Sequence, residues 1–173
     1  MQNAWLNRAT ARFDREGVIR RINLAARHIR AQCGQVIFIQ HCDADALPGG
    51  DGWQLDAGLE RLEGDRAIDK TACDSFCDTA LFDMLLERDA KTLVVAGLAT
   101  EFCVDTTVRA AASMGFDVIA LSDAHTTGDR EHLSAEQIIA HHNWVWSNLA
   151  VPVGGTLTVQ TVEEMLAADN AHE

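Results

Sequence analysis

The sequence predicts an α/β fold in which a parallel sheet lies between layers of helices. Two observations support this class: short apolar runs rich in β-branched residues recur along the chain, and segments with helical spacing separate them. Strands that alternate with helices pair in parallel through right-handed crossovers. Because 173 residues suffice for one domain with its own core, we expect residues 1–173 to form a single domain.

The first predicted elements are a long amphipathic helix and a buried strand. Residues 15–32 place apolar side chains at helical spacing on one face, namely Val18, Ile22, Ala25, Ala26 and Ile29. Residues 36–40, VIFIQ, form a short apolar run that is typical of a buried strand. The irregular stretch at residues 41–62 follows, and a loop of this length in a compact domain usually has a function or is mobile.

The second half of the chain continues the alternation. We expect helices at residues 79–88, 101–114, 134–148 and 161–168, and strands at residues 92–96, 117–121 and 156–160. Ser134 and Gln137 have the spacing of a capping box, which supports a helix start at Ser134. The strand at residues 156–160 alternates more strongly between apolar and polar residues, which places it nearer an edge of the sheet.

The charge of the chain excludes several classes of partner. A net charge of −12 disfavours nucleic acid and anionic membrane surfaces, which both require a basic footprint. No apolar run is long enough to cross a membrane, and the chain does not start with a basic segment followed by an apolar one. A cytoplasmic location is therefore expected, and the odd count of five cysteines indicates reduced thiols.

One of these cysteines has the surroundings of a reactive thiol. Cys103 lies in the segment 97–104, GLATEFCV, which follows a predicted strand and opens a predicted helix. In α/β sheets ligands bind at the carboxyl ends of the strands. The first turn of a helix also favours the thiolate form of a cysteine over the thiol. Its unpaired N–H groups could also hold an oxyanion. The alternative is inert packing, which is the usual role of a free cysteine and the one we expect for the other four.

Motifs along the chain resemble those of the isochorismatase-like cysteine hydrolases. Three groups of residues carry the resemblance: residues 97–104 with Thr107 and Ala110, residues 68–71 with residues 75–76, and residues 122–125 with residues 133–136. The first resembles the nucleophile motif of this family, the second its lysine motif, and the third its C-terminal part. The resemblance covers nearly the whole chain, in order and with suitable spacing.

The resemblance implies a three-layer α/β/α sandwich with a mostly parallel, six-stranded sheet and an Asp–Lys–Cys triad. Cys103 would be the nucleophile, and Lys70 the cation that keeps its thiolate ionised. The N–H groups of Ala99 and Cys103 would form the oxyanion hole, and the peptide bond between Leu98 and Ala99 would be cis. Metal-binding members have an aspartate and histidines after the second strand; residues 41–45, HCDAD, lack that pattern, so no metal or other cofactor is expected.

The sequence departs from the family at the triad aspartate. In the family this residue ends the first strand in an Asp-x-Gln pattern, whereas Met1-Gln2-Asn3 matches only the part after the aspartate. The apolar strand before it, normally central in the sheet, is also absent from the sequence. Two explanations account for the missing aspartate and strand: a translation start placed too far downstream, or a truncated relative. Gln2, Asn3 and Trp5 match the segment that follows the aspartate in the family, which favours the first explanation. Without the aspartate we expect weak turnover, since it handles the proton, and unpaired edges inside the sheet.

The expected reaction is hydrolysis of a small amide or carbamoyl-type C–N bond through a thioester on Cys103. Trp5, Phe102 and Trp53 are expected pocket walls, with core or lid packing as the alternative for Trp53. The resemblance also implies that the chain forms a homodimer or homotetramer. It implies a small molecule as the substrate.

Two alternatives remain open at this stage. One is a non-catalytic binding or scaffold protein that keeps the fold. The other is a redox protein that pairs Cys103 with a second thiol, which is disfavoured because no Cys-x-x-Cys is present.

Overall fold

The computed structural model describes residues 1–170, in which strands and helices alternate as predicted. The helices are α1 (Asn3–Leu6), α2 (Arg15–Ala31), α3 (Leu81–Glu87), α4 (Asp105–Ser113), α5 (Ala135–Ser147) and α6 (Val162–Asn170). The strands are β1 (Ile37–His41), β2 (Arg66–Lys70), β3 (Thr92–Leu98), β4 (Asp117–Thr126) and β5 (Leu157–Gln160). A π-helical turn, Thr100–Val104, joins β3 to α4. The α/β class is confirmed.

All strand pairs are parallel, and the strands form two sheets. One sheet pairs β1 with β2, so that His41 lies opposite Lys70. The other has the order β3-β4-β5, in which β5 is an edge strand as predicted. Among the described residues β1 pairs only with β2, and β3 only with β4. Each sheet therefore has an unpaired inner edge, which agrees with the expectation of unpaired edges inside the sheet.

A cavity of about 1350 Å³ lies between these two inner edges. Its walls are mostly apolar side chains of α2, β1, α3 and β3, including Ile22, Ala25, Ala26, Ile29, Ile37, Ile39, Leu81, Leu85, Leu93 and Val95. Protein interiors are close-packed, and a gap of this volume is far larger than an ordinary packing defect. The carboxyl ends of β1, β2 and β3 reach the same cavity through His41, Lys70 and Leu98.

Helices cover both faces of the three-stranded sheet. Successive residues of β4 alternate between two apolar clusters, as the period of a strand requires. Val118 and Ala120 pack in a cluster with α4 and the buried Trp146 of α5. Leu121 and Ile119 pack in a cluster with α2 and α6. This alternation produces the three layers that the resemblance implied.

Sequence patterns predicted most elements, and the capping box of Ser134 with Gln137 is present at the start of α5. The strand β2 was not predicted, because only Ile68 and Lys70 of its residues are buried. Strand β4 also extends to Thr126, five residues beyond its apolar run. Within residues 1–170, no helix combines the length and the apolar character that a membrane crossing requires.

Candidate active site

Cys103 lies in the π-helical turn directly after β3. The turn follows a cis peptide bond between Leu98 and Ala99, which confirms that implication of the resemblance. The backbone carbonyl of Ala99 accepts hydrogen bonds from the N–H groups of Phe102 (3.1 Å) and Val104 (3.2 Å). The helix predicted from residue 101 is thus a wider turn followed by α4, and such π-helical turns are frequent at functional sites.

A chain of buried polar side chains holds this turn against β4 and α5. The Thr100 hydroxyl lies 2.8 Å from Nδ1 of His125, and Nε2 of His125 lies 3.0 Å from Oδ1 of Asn143. The Asn143 amide group donates to the Ser122 carbonyl (2.9 Å), so its Oδ1 is the acceptor that faces His125. Nε2 of His125 therefore donates, and Nδ1 accepts from Thr100. Burial lowers the pKa of His125 to about 4, which keeps its ring neutral at pH 7.

Lys70 reaches the same cavity from the end of β2. Its side chain is buried, and its ammonium donates to the backbone carbonyl of Cys73. The Cys73 thiol in turn lies near the Cys103 thiol, which helps to raise its pKa. Cys73 thus lies near both the predicted nucleophile and the predicted cation, and Ala99 lines the same cavity. The structure brings these three predicted residues together.

Cys73 is the functional neighbour that sequence reasoning missed. Burial and the adjacent Cys103 raise the pKa of the Cys73 thiol, so it stays protonated at neutral pH. The one sequence feature that could have indicated Cys73 is its position three residues after Lys70, just beyond the end of β2. No cysteine spacing motif marks it, since the contact is formed by two separate segments of the fold.

The three predicted pocket walls have different outcomes. Trp5 and Phe102 both line the cavity. Trp53 is not among the lining residues: its indole donates to a carboxylate oxygen of Asp69 at 3.0 Å, and its carbonyl accepts from the Gln40 side chain at 2.9 Å. Trp53 therefore packs in the loop beside the site, the alternative role noted for it.

No set of three or more His, Cys, Asp or Glu side chains within the described part of the chain is grouped as metal ligands would be. Near Cys103 the structure places a second thiol and the ammonium group of Lys70.

Known proteins are similar to this chain in sequence and in fold. The family description "Isochorismatase domain" matches residues 1–147. A streptothricin hydrolase from Streptomyces noursei is 35% identical over 98 residues, which cover 53% of this chain and 39% of that protein. A ureidoacrylate amidohydrolase from Cronobacter sakazakii is 36% identical over 81 residues, which cover 46% of this chain and 35% of that protein. The chain thus spans less than half the length of either hydrolase.

A solved structure matches over a larger share of the chain. The crystal structure of an isochorismatase family protein superposes with a TM-score of 0.82 at 33% identity. The superposition covers 90% of this chain and 91% of the other. The similarity therefore extends over most of both chains.

Proposed function

The chain belongs to the isochorismatase domain family, and on this premise we propose that it hydrolyses a small amide or carbamoyl-type C–N bond with Cys103 as the nucleophile. The observation that supports the proposal is that Cys103, Lys70 and Ala99 all line one cavity. Two relatives support the class of bond, since one is named a streptothricin hydrolase and the other a ureidoacrylate amidohydrolase.

The proposed reaction has two steps at the Cys103 sulfur. The thiolate attacks the substrate carbonyl carbon, and the N–H groups of Ala99 and Cys103 donate to the resulting oxyanion. The C–N bond then breaks, the amine or ammonia leaves with a proton, and a thioester remains on Cys103. Water attacks the thioester, which releases the acid and restores the thiol. The Lys70 ammonium beside the site stabilises the thiolate before attack.

The leaving amine needs a proton, and a carboxylate is the group that would deliver it. Within residues 1–170, neither Lys70 nor Cys103 has a carboxylate among its bonded partners. The amino group of Met1 lies in the electrostatic range of both residues, and burial lowers its pKa to about 6. A residue joined to that nitrogen would enter the site directly. We therefore propose that the active form carries an aspartate there, and that residues 1–173 alone turn over weakly.

A paired comparison tests the proposed function. One chain is residues 1–173, and the other has an apolar strand of about seven residues ending in aspartate joined before Met1. Both are assayed for release of ammonia or amine from a panel of carbamoyl and amide compounds. We expect turnover by the extended chain at least about 100-fold above that of residues 1–173, the usual scale of general acid–base catalysis.

Two variants of the extended chain serve as controls. Cys103→Ala is expected to abolish turnover, whereas Cys33→Ala, at an exposed cysteine, leaves it unchanged. An extended and folded chain that binds panel compounds without cleaving any would indicate a non-catalytic binding protein instead.

Assembly as a homodimer or homotetramer is also proposed. Helix α5 offers one contact candidate, since Trp144 is 65% exposed while Trp146 is buried. Sedimentation analysis tests this proposal, and a purely monomeric chain at micromolar concentration would contradict it.

A further inference from the structure

Two cysteines from separate segments of the fold lie near each other at the active-site cavity. Cys73 follows the end of β2, Cys103 lies in the turn after β3, and both are partly exposed and line the cavity. The Cys73 thiol lies near the Cys103 thiol. The absence of a Cys-x-x-Cys motif disfavours a redox pair within one helical turn, but not a pair that the fold assembles from distant segments.

Hydrogen bonds hold the segment of Cys73 against the segment of Cys103. The N–H of Ser75 donates to the hydroxyl oxygen of Thr107 at 3.2 Å, and the two hydroxyl oxygens lie 2.8 Å apart. Thr107 belongs to α4, about one helical turn after Cys103. The Lys70 ammonium also donates to the Cys73 carbonyl. Contacts on either side of Cys73 therefore keep its thiol near that of Cys103.

The backbone that carries Cys73 is irregular. Residues 71–80 form neither a helix nor a strand, so no regular hydrogen-bonding pattern has to break for Cys73 to approach Cys103. A disulfide requires specific distances and dihedral angles. A loop on one side of the pair allows the adjustment that this geometry demands.

The two thiols are suited to different roles in an oxidation. Cys103 lies at the turn that opens a helix and near the Lys70 ammonium, and it is the thiolate form that reacts with a peroxide. Burial and then the negative charge of Cys103 raise the pKa of the Cys73 thiol, so Cys73 stays protonated at first. Oxidation of the Cys103 thiolate to a sulfenic acid removes that charge, and Cys73 is then deprotonated more easily.

We propose that a peroxide oxidises Cys103 and that Cys73 then captures it in a disulfide within the same chain. First, the Cys103 thiolate attacks one oxygen of hydrogen peroxide, an S–O bond forms, the O–O bond breaks, and the released hydroxide takes up the thiol proton as water. Next, the Cys73 sulfur attacks the Cys103 sulfur, the S–O bond breaks, and the hydroxyl group leaves with the Cys73 proton as water. Both thiols are thus oxidised to one disulfide while one peroxide is reduced to two waters.

The disulfide protects Cys103 and blocks it at the same time. A sulfenic acid that meets no thiol is oxidised further to sulfinic acid, which thiols do not reverse, whereas they do reverse a disulfide. Cys73 is therefore a resolving cysteine. Formation of the disulfide does not depend on hydrolysis, and only the consequence that oxidation stops acyl transfer to Cys103 rests on the proposed function.

Peptide mapping after oxidation tests the inference. Residues 1–173 are reduced, freed of reductant, treated with excess hydrogen peroxide, blocked with N-ethylmaleimide and digested without reductant. Cleavage before aspartate puts Cys73 in residues 69–73, Cys77 in residues 74–77 and Cys103 in residues 89–104. We expect the peptides 69–73 and 89–104 to be found linked, with two hydrogen atoms fewer than their sum, and to separate after treatment with dithiothreitol.

Matched serine variants distinguish a resolving cysteine from general thiol reactivity. In Cys73→Ser the linked peptide is absent, and sulfinic acid at Cys103 is expected to form at least about fivefold faster, because no thiol captures the sulfenic acid. Cys77→Ser, at an exposed cysteine four residues after Cys73, is the control and retains the linked peptide. Dithiothreitol should restore the free Cys103 thiol fully in wild type and in Cys77→Ser, but only partly in Cys73→Ser.

Oxidised Cys103 beside a free Cys73 thiol would overturn the inference, and so would a Cys103 thiol that resists excess peroxide. A disulfide of Cys103 mainly with Cys33 or Cys42, disulfides between separate chains, or equal rates of sulfinic acid formation in wild type and Cys73→Ser would overturn it too. An extended chain that forms the linked peptide but hydrolyses no panel compound would contradict the proposed function alone. Hydrolysis by a chain that never forms the linked peptide would contradict the disulfide alone.

Discussion

Cys103 differs from the other cysteines in the backbone that carries it. It lies in the π-helical turn after a cis peptide bond and lines the cavity, close to Cys73 and Lys70. Cys33 and Cys77 are exposed and have neither feature. The sequence predicted Cys103 as the nucleophile from its strand-to-helix position together with its motif, and Lys70 as the cation from its motif. It had no means of identifying Cys73, because a thiol contact between distant segments depends on the fold.

Removing the positive charge of Lys70 is expected to slow alkylation of Cys103. Lys70→Met removes the ammonium that favours the thiolate, so the rate with iodoacetamide at neutral pH should fall about tenfold. The measurement is peptide-resolved mass spectrometry over time. Lys91→Met is the matched control, since Lys91 is the other lysine of the sequence and is exposed. Equal rates at Cys103 in wild type and Lys70→Met would refute the role given to Lys70.

Among the elements, β4 shows best what the sequence could and could not predict. Its apolar run predicted a strand at residues 117–121, and that strand is present. Its extension to Thr126 was not predicted, because Ser122, Asp123 and His125 are polar. His125 is nevertheless buried, since Thr100 and Asn143 satisfy both of its ring nitrogens. Polar residues in a strand can be recognised as buried only when their partners are known.

The buried ring of His125 is expected to make the free energy of unfolding depend on pH. Its folded pKa of about 4 is below the ordinary value of 6.5, so the unfolded chain binds the proton more readily. The stabilisation is present above pH 6.5 and is lost as pH falls toward 4. From about pH 7 to about pH 5, the free energy of unfolding should fall by about 2 kcal/mol from this residue.

Urea unfolding of wild type and His125→Gln at several pH values measures this contribution. Glutamine does not titrate and keeps one donor and one acceptor, so the variant should lose less stability on acidification. His132→Gln, at an exposed histidine, is the control and should behave like wild type. Parallel pH profiles for wild type and His125→Gln would show that the ring is not buried as a neutral group.

At the scale of the whole molecule, the main feature is the division of the sheet. The edges of β1 and β3 both border a cavity with apolar walls. A single strand added between them would pair with each edge. The parallel fold was predictable from alternating strands and helices, whereas the width of the gap was not, since it depends on how the covering helices hold the two sheets.

The extended chain described above is therefore expected to be more stable than residues 1–173. A strand between β1 and β3 would bury their edges and fill the cavity, so the melting temperature should rise by more than about 10 °C. Amide hydrogen exchange should slow in β1 and β3, while β5, at the opposite edge, provides the internal control. An extension of the same length with alternating Gly and Ser should change neither quantity. Unchanged exchange in β1 and β3 with the apolar extension would contradict insertion of the strand.

The most direct test of Cys103 as the nucleophile is acylation by 4-nitrophenyl acetate. Its leaving group needs no proton, so residues 1–173 suffice and the proton-handling carboxylate is not required. We predict a stoichiometric burst of nitrophenolate and, after acid quench, an acetyl group on the peptide that contains Cys103. Cys103→Ala should lose the burst, while Cys33→Ala retains it. Acetyl groups spread over exposed cysteines such as Cys33 and Cys77, with none on Cys103, would contradict the account.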